Sequence, residues 1–113
     1  MPSFEPGTIV KVPFPYTDRA TRQRRPALVL PGPDVGTYRL LWVAMITSAE
    51  NRSWPCDIAI DDYAASGLPA PSVVRPAKIA TIEAQDAEPL GTLASAEFDA
   101  VLSWLKNTFF ARS

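Results

Sequence analysis

The sequence predicts a mainly β fold: a small, strongly curved sheet or barrel with one helix packed against it. Three observations point there. Short apolar, β-branched runs alternate with turn residues; proline is frequent, at 12 residues; and only the C-terminal stretch has a helical apolar period. The 113 residues predict a single domain spanning 1–113, long enough for one hydrophobic core. An apolar fraction of 47% with 20% charged residues is the composition of a globular domain.

Taken in order, Thr8 to Val12 alternates and is β-branched, predicting a strand after the turn at Pro6-Gly7. Pro13 to Arg24 is polar and basic and reads as a loop. Ala27 to Leu30, bounded by proline and glycine, reads as a buried strand, and Pro31 to Gly36 as a turn. Tyr38 to Thr47 is a longer apolar run, assigned as a central strand. Ala49 to Pro55 is a polar loop, and Asp57 to Ile60 another short strand. A helical turn is expected next, with Asp61 as N-cap and Gly67 as its stop. Ser72 to Val74 and Lys78 to Ile82 read as two strand segments around Pro76. In the last segment Ser95 is the expected cap, and Glu97 lies in the first turn. Phe98, Val101, Leu102, Leu105 and Phe109 then recur on one helix face.

Composition removes several chemistries. The chain has no histidine and one cysteine, Cys56, so a Cys/His zinc site, a histidine-based triad and an internal disulfide are all unavailable. Cys56 reads as a small buried or loop residue. No carboxylate cluster has metal-ligand spacing, and neither a metal nor another cofactor is expected. No stretch approaches the roughly 18 apolar residues of a membrane span, and no secretory signal is recognisable, so the expected compartment is the cytoplasm. The net charge of −1 argues against an overall basic nucleic-acid binder, yet Arg19, Arg22, Arg24 and Arg25 fall close together while most acids lie beyond position 50. Such a local patch either holds phosphates or is a solvated loop.

Four segments, in order, resemble the MazF/PemK toxin family: Gly7-Thr-Ile-Val-Lys-Val-Pro-Phe-Pro15 with Thr17-Asp18; Arg25-Pro-Ala-Leu-Val-Leu30; Val43-Ala-Met-Ile-Thr-Ser48; and Gly67-Leu-Pro-Ala-Pro-Ser-Val-Val-Arg75 leading to Lys78-Ile79. With the terminal helix they cover nearly the whole chain. The resemblance implies an SH3-like barrel with a C-terminal helix, a homodimer, sequence-selective cleavage of single-stranded RNA, and a cognate antitoxin that blocks the RNA site.

The resemblance further implies a catalytic pair, Arg25 and Thr47. Taken alone, Arg25 reads as a surface-loop residue and Thr47 as an ordinary strand residue. The chemistry favours their types, however. When the 2′-hydroxyl of RNA attacks the adjacent phosphorus, charge builds on the phosphorane oxygens. A guanidinium offers a fixed fork of donors and stays charged, and a threonine hydroxyl adds a further hydrogen bond. Arg75 matches an arginine that helps bind or position RNA in some relatives, or else forms a salt bridge on the sheet surface, and Lys78 is similarly placed. Arg19, Arg22 and Arg24 are expected in a loop over the RNA groove. Ser48 offers a second hydroxyl, directed to the opposite face if its strand continues. Trp54 either stacks on a base or anchors its loop on the core. Two departures bear on the general base: Ala77 stands where some relatives carry an acid, and the histidine that some carry in the first loop is missing.

The same fold hosts gyrase poisons, and a relative that binds an antitoxin without cleaving is a further alternative. The C-terminal Phe110-Ala-Arg-Ser113 lacks the Trp-Gly-Ile ending typical of such poisons, and the presence of Arg25 and Thr47 favours cleavage.

Overall fold

The computed structural model describes residues 4–13, 24–32, 39–51 and 53–111. Among them lie strands β1 (Thr8–Pro13), β2 (Arg24–Leu30), β3 (Leu40–Ser48), β4 (Ile58–Ala59), β5 (Ser72–Glu83) and β6 (Glu88–Thr92), a 3-10 turn at Ala84–Asp86, and helix α1 (Ser95–Phe109). The strands form one curled antiparallel sheet in the order β4-β5-β3-β2-β1-β6.

The continuous apolar runs of β2 and β3 have a simple cause: both faces of the sheet are buried there. Leu28, Leu30, Ala44 and Ile46 face one core, which Ile9, Val74, Leu93 and helix residues Val101 and Leu105 complete. Ala27, Val29, Val43 and Met45 face the other, with Val10, Val12, Ala80 and Ile82. Adjacent Ile9 and Val10 belong to opposite cores, and the register shift between β1 and β6 falls between them.

Several elements differ from the sequence expectation. Ser72–Val74 and Lys78–Ile82 are parts of one strand, β5. Against β3 its register jumps from Ile79↔Ala44 to Arg75↔Met45. Pro76, which has no N–H to donate, thus falls in an irregularity that leaves the ladder intact on both sides. β6 was not expected: Glu88-Pro-Leu-Gly-Thr92 has no strand-like pattern and owes its conformation to pairing with β1. Residues 61–67 form a run of turns in which the Asp62 carboxylate, not Asp61, accepts from a backbone N–H, that of Ala65. The left-handed φ of +85° at Gly67 ends this run, as the glycine suggests.

The helix begins at Ser95 itself, the expected cap, with Ala94 in the capping position. Leu93 is buried and its N–H donates to the Gly7 carbonyl, so the chain turns at Ala94 and Ser95 already lies in the first turn. No side chain caps α1; Glu97 in its first turn instead accepts the Asp61 N–H at 2.8 Å. Val101 and Leu105 are buried, Phe98, Leu102 and Trp104 half-buried. Phe109, on the expected apolar face, is 68% exposed.

Candidate functional site

The β2–β3 ladder ends at Ala27↔Met45. Beyond that pair, Arg24, Arg25 and Pro26 pair in the sheet with β1, while Ile46, Thr47 and Ser48 pair with β5. The two strands therefore splay, and a cleft of about 450 Å³ opens between them. Lys11, Arg24 and Arg25 stand on one side, and Thr47, Ser48 and Asn51 on the other. The segment 67–72 with Leu90 closes the end. That segment is seated on β6 through two glycines: a Cβ on Gly67 would run into the Leu90 carbonyl, and one on Gly91 into that of Ser66.

The structure thus brings Arg25 and Thr47 to one cleft from separate strands. Arg25 is half-buried. Thr47 is 8% exposed, and its Oγ1 accepts a hydrogen bond from Asn51 Nδ2. Ser48 also lines the cleft, as does Ile46 two residues before it on the same face of β3, so the cleft is reached from both faces of the strand end. Ser48 Oγ accepts from the Glu50 N–H at 3.2 Å, and the Ser48 carbonyl accepts from the Asn51 N–H at 3.0 Å. Arg24 is exposed and tied locally: Nη2 donates to the carbonyls of Asp86 at 2.7 Å and Lys11 at 3.2 Å, and it lies 3.7 Å from the Glu88 carboxylate. Arg19 and Arg22 lie outside the described residues.

Arg75 and Trp54 form a separate constellation that does not line the cleft. Arg75 is 7% exposed. Its Nε and Nη2 each donate to one oxygen of Asp57, both at 2.9 Å, and its guanidinium lies 4.3 Å from the centre of the Trp54 ring. Asp57 also accepts the Trp54 N–H at 2.9 Å. These bonds, the one to Arg75 foremost, hold the Asp57 carboxyl below its usual range against the opposing effect of burial, and Asp57 in turn raises the Arg75 guanidinium. Trp54 is half-buried, and Arg75 covers a face of its ring. Lys78 is half-buried in the irregular part of β5 and does not line the cleft. Cys56 is a buried free thiol.

Lys11 and Asn51 are polar cleft residues that sequence reasoning did not single out. Lys11 sits at the outward position of an alternating strand, which was a usable signal. Asn51 lies in a polar loop with nothing in its neighbourhood to single it out; only the turn after β3 folds it back onto Thr47.

A curled antiparallel sheet with one C-terminal helix, and a cleft at a splayed strand pair, define a small β-barrel-like domain. The PemK-like, MazF-like toxin family of type II toxin-antitoxin systems matches residues 5–109, so the chain belongs to that family. Solved structures agree in fold. A MazF from Deinococcus radiodurans is 22% identical with a TM-score of 0.71, covering 93% of this chain and 94% of that one. A MazE-MazF structure from the same organism is also 22% identical, with a TM-score of 0.70 and 96% of each chain covered. The toxin MazF-mt6 of Mycobacterium tuberculosis is 25% identical, with a TM-score of 0.66, 96% of this chain and 100% of that one. No functionally curated protein matches the sequence. Among the described residues no helix is long and apolar enough to cross a membrane.

Proposed function

We propose that this toxin is a metal-independent endoribonuclease that cuts single-stranded RNA at selected sequences in the cytoplasm, and that a cognate antitoxin holds it inactive. The observation that carries the reading is the convergence of Arg25 and Thr47 on one cleft from two strands that have parted. The solved MazE-MazF assembly supports an antitoxin of MazE type as partner. A homodimer is the proposed toxin assembly, to be checked by sedimentation.

The chemistry follows from the residue types. The RNA's 2′-oxygen forms a bond to the adjacent phosphorus as the bond from phosphorus to the 5′-oxygen breaks. The 2′-hydroxyl loses a proton, the departing 5′-oxygen gains one, and no water is consumed. Arg25 sets its donors against the phosphate oxygens where negative charge grows, and Thr47 adds a hydroxyl donor. Positioned donors of this kind are worth roughly 3–4 kcal/mol each in the transition state. The products carry a 2′,3′-cyclic phosphate and a 5′-hydroxyl.

The test compares an all-ribose oligonucleotide with one bearing a single deoxynucleotide just 5′ of the cut, both in EDTA. The ribose substrate is expected to be cut and the deoxy substrate to bind but resist. The new 5′ ends should accept phosphate directly from a polynucleotide kinase. Cleavage of the deoxy substrate, or 5′-phosphate products, would show that water is the nucleophile and overturn the mechanism.

A further inference from the structure

We propose that Asn51 is a positioning residue for Thr47: its amide orients the Thr47 hydroxyl so that the hydroxyl proton is presented to the cleft. This rests on the RNA-cleavage reading above. A threonine hydroxyl has one proton to donate and two lone pairs to accept with, and its proton swings freely unless a neighbour decides its direction. At Thr47 the neighbour is Asn51 Nδ2, which donates to Oγ1. An amide N–H cannot accept, so this bond occupies a lone pair and keeps the Thr47 proton for a different acceptor. In the cleft shared with Arg25, that acceptor is a phosphate oxygen.

Asn51 is itself held in place. Its backbone N–H donates to the Ser48 carbonyl at 3.0 Å, the Glu50 N–H donates to Ser48 Oγ at 3.2 Å, and the Ala49 N–H donates to the Pro71 carbonyl at 3.0 Å. The turn is thus tied both to the end of β3 and to the segment that closes the cleft. The same loop is anchored further on, where Asp57 binds Arg75 and the Trp54 N–H. The hydroxyl direction is set before any RNA arrives, which is the arrangement that electrostatic catalysis requires.

The experiment measures single-turnover cleavage at saturating protein, with affinity read separately on the single-deoxy oligonucleotide. Asn51→Ala should slow cleavage by about 10- to 100-fold, less than the about 10²- to 10³-fold expected for a direct donor, with affinity changed less than about threefold. Asn51→Asp keeps the size but replaces the donor by an acceptor that draws the Thr47 proton to itself, so it should slow cleavage at least as much. In a Thr47→Val background, Asn51→Ala should change the residual rate by less than about twofold, because Asn51 acts through the hydroxyl that is already gone. Wild-type cleavage with an unimpaired Asn51→Asp would show that the amide accepts from Thr47. An equal loss in both backgrounds would show that Asn51 acts on its own. Either result overturns this proposal alone, as does full activity of Asn51→Ala. Failure of the wild-type protein to cut any RNA overturns it together with the reading it rests on.

Discussion

Arg25 is the residue on which the proposed chemistry most depends, and Thr47 the second. Arg25→Ala and Thr47→Ala should each abolish growth arrest on expression while the far-ultraviolet circular dichroism spectrum and the sedimentation coefficient stay unchanged. An Arg25→Ala protein that still arrests growth would remove the phosphate-clamp role. Arg25→Lys is expected to restore little, since an ammonium is a point charge without the planar fork. Asp57 and Arg75 make a different prediction, because their side chains are 9% and 8% exposed and bond each other at two points. Removing one partner of such a buried pair leaves the other charge uncompensated, so Asp57→Asn should destabilise by about 3–5 kcal/mol. The Asp57 carboxyl is lowered in the folded protein. Its contribution to stability is therefore fully present above the unfolded carboxylate pKa of about 3.9 and fades as pH falls through the lower folded value. Thermal melts from pH 7 to pH 2.5 should show wild-type stability dropping more steeply in acid than that of Asp57→Asn; parallel curves would contradict the linkage.

At the scale of elements, α1 and the segment that closes the cleft carry the most specific expectations. Val101 and Leu105 are the buried helix residues, while Phe109 is 68% exposed. Leu105→Ala should lower stability by about 2–5 kcal/mol, whereas Phe109→Ala should change it by no more than about 0.5 kcal/mol. Denaturant titration of the two variants tests the assignment, and equal effects would mean that the stripe is misplaced. Gly67 combines a φ of +85° with backbone contact to Leu90, so a methyl group there meets strain and overlap together. Gly67→Ala should therefore shift residues 67–72 off β6 and impair cleavage more than it impairs folding, since those residues wall the cleft but belong to neither core cluster apart from Leu68.

Over the whole molecule, charge is distributed rather than abundant. The net charge is −1, yet Lys11, Arg24 and Arg25 meet at one cleft. Binding to single-stranded RNA should accordingly weaken with salt, with a logarithmic slope of about −0.7 for each phosphate contact. Lys11→Ala should reduce the magnitude of that slope by about 0.7, measured by fluorescence anisotropy of an uncleavable deoxy-containing oligonucleotide at graded salt. An unchanged slope would place Lys11 outside the RNA path.

Apolar patterning alone was enough to establish a mainly β chain with a C-terminal helix, because β-branched runs and the three- and four-residue period record burial directly. The motif resemblance likewise pointed to Arg25 and Thr47, since strand-end residues keep their place relative to the strands that carry them. Long-range pairing decided the rest. Glu88-Pro-Leu-Gly-Thr92 becomes a strand only because the edge of β1 lies open to it, and Pro76 is absorbed by a register shift that no local pattern announces. The cleft exists because the β2–β3 ladder stops at Ala27 and Met45, a matter of register. Asn51 reaches Thr47, and Asp57 reaches Arg75, through a turn and across a sheet. Hydrogen bonds of that kind leave no periodic trace in a sequence, because their partners are chosen by where the backbone goes and not by which face is apolar.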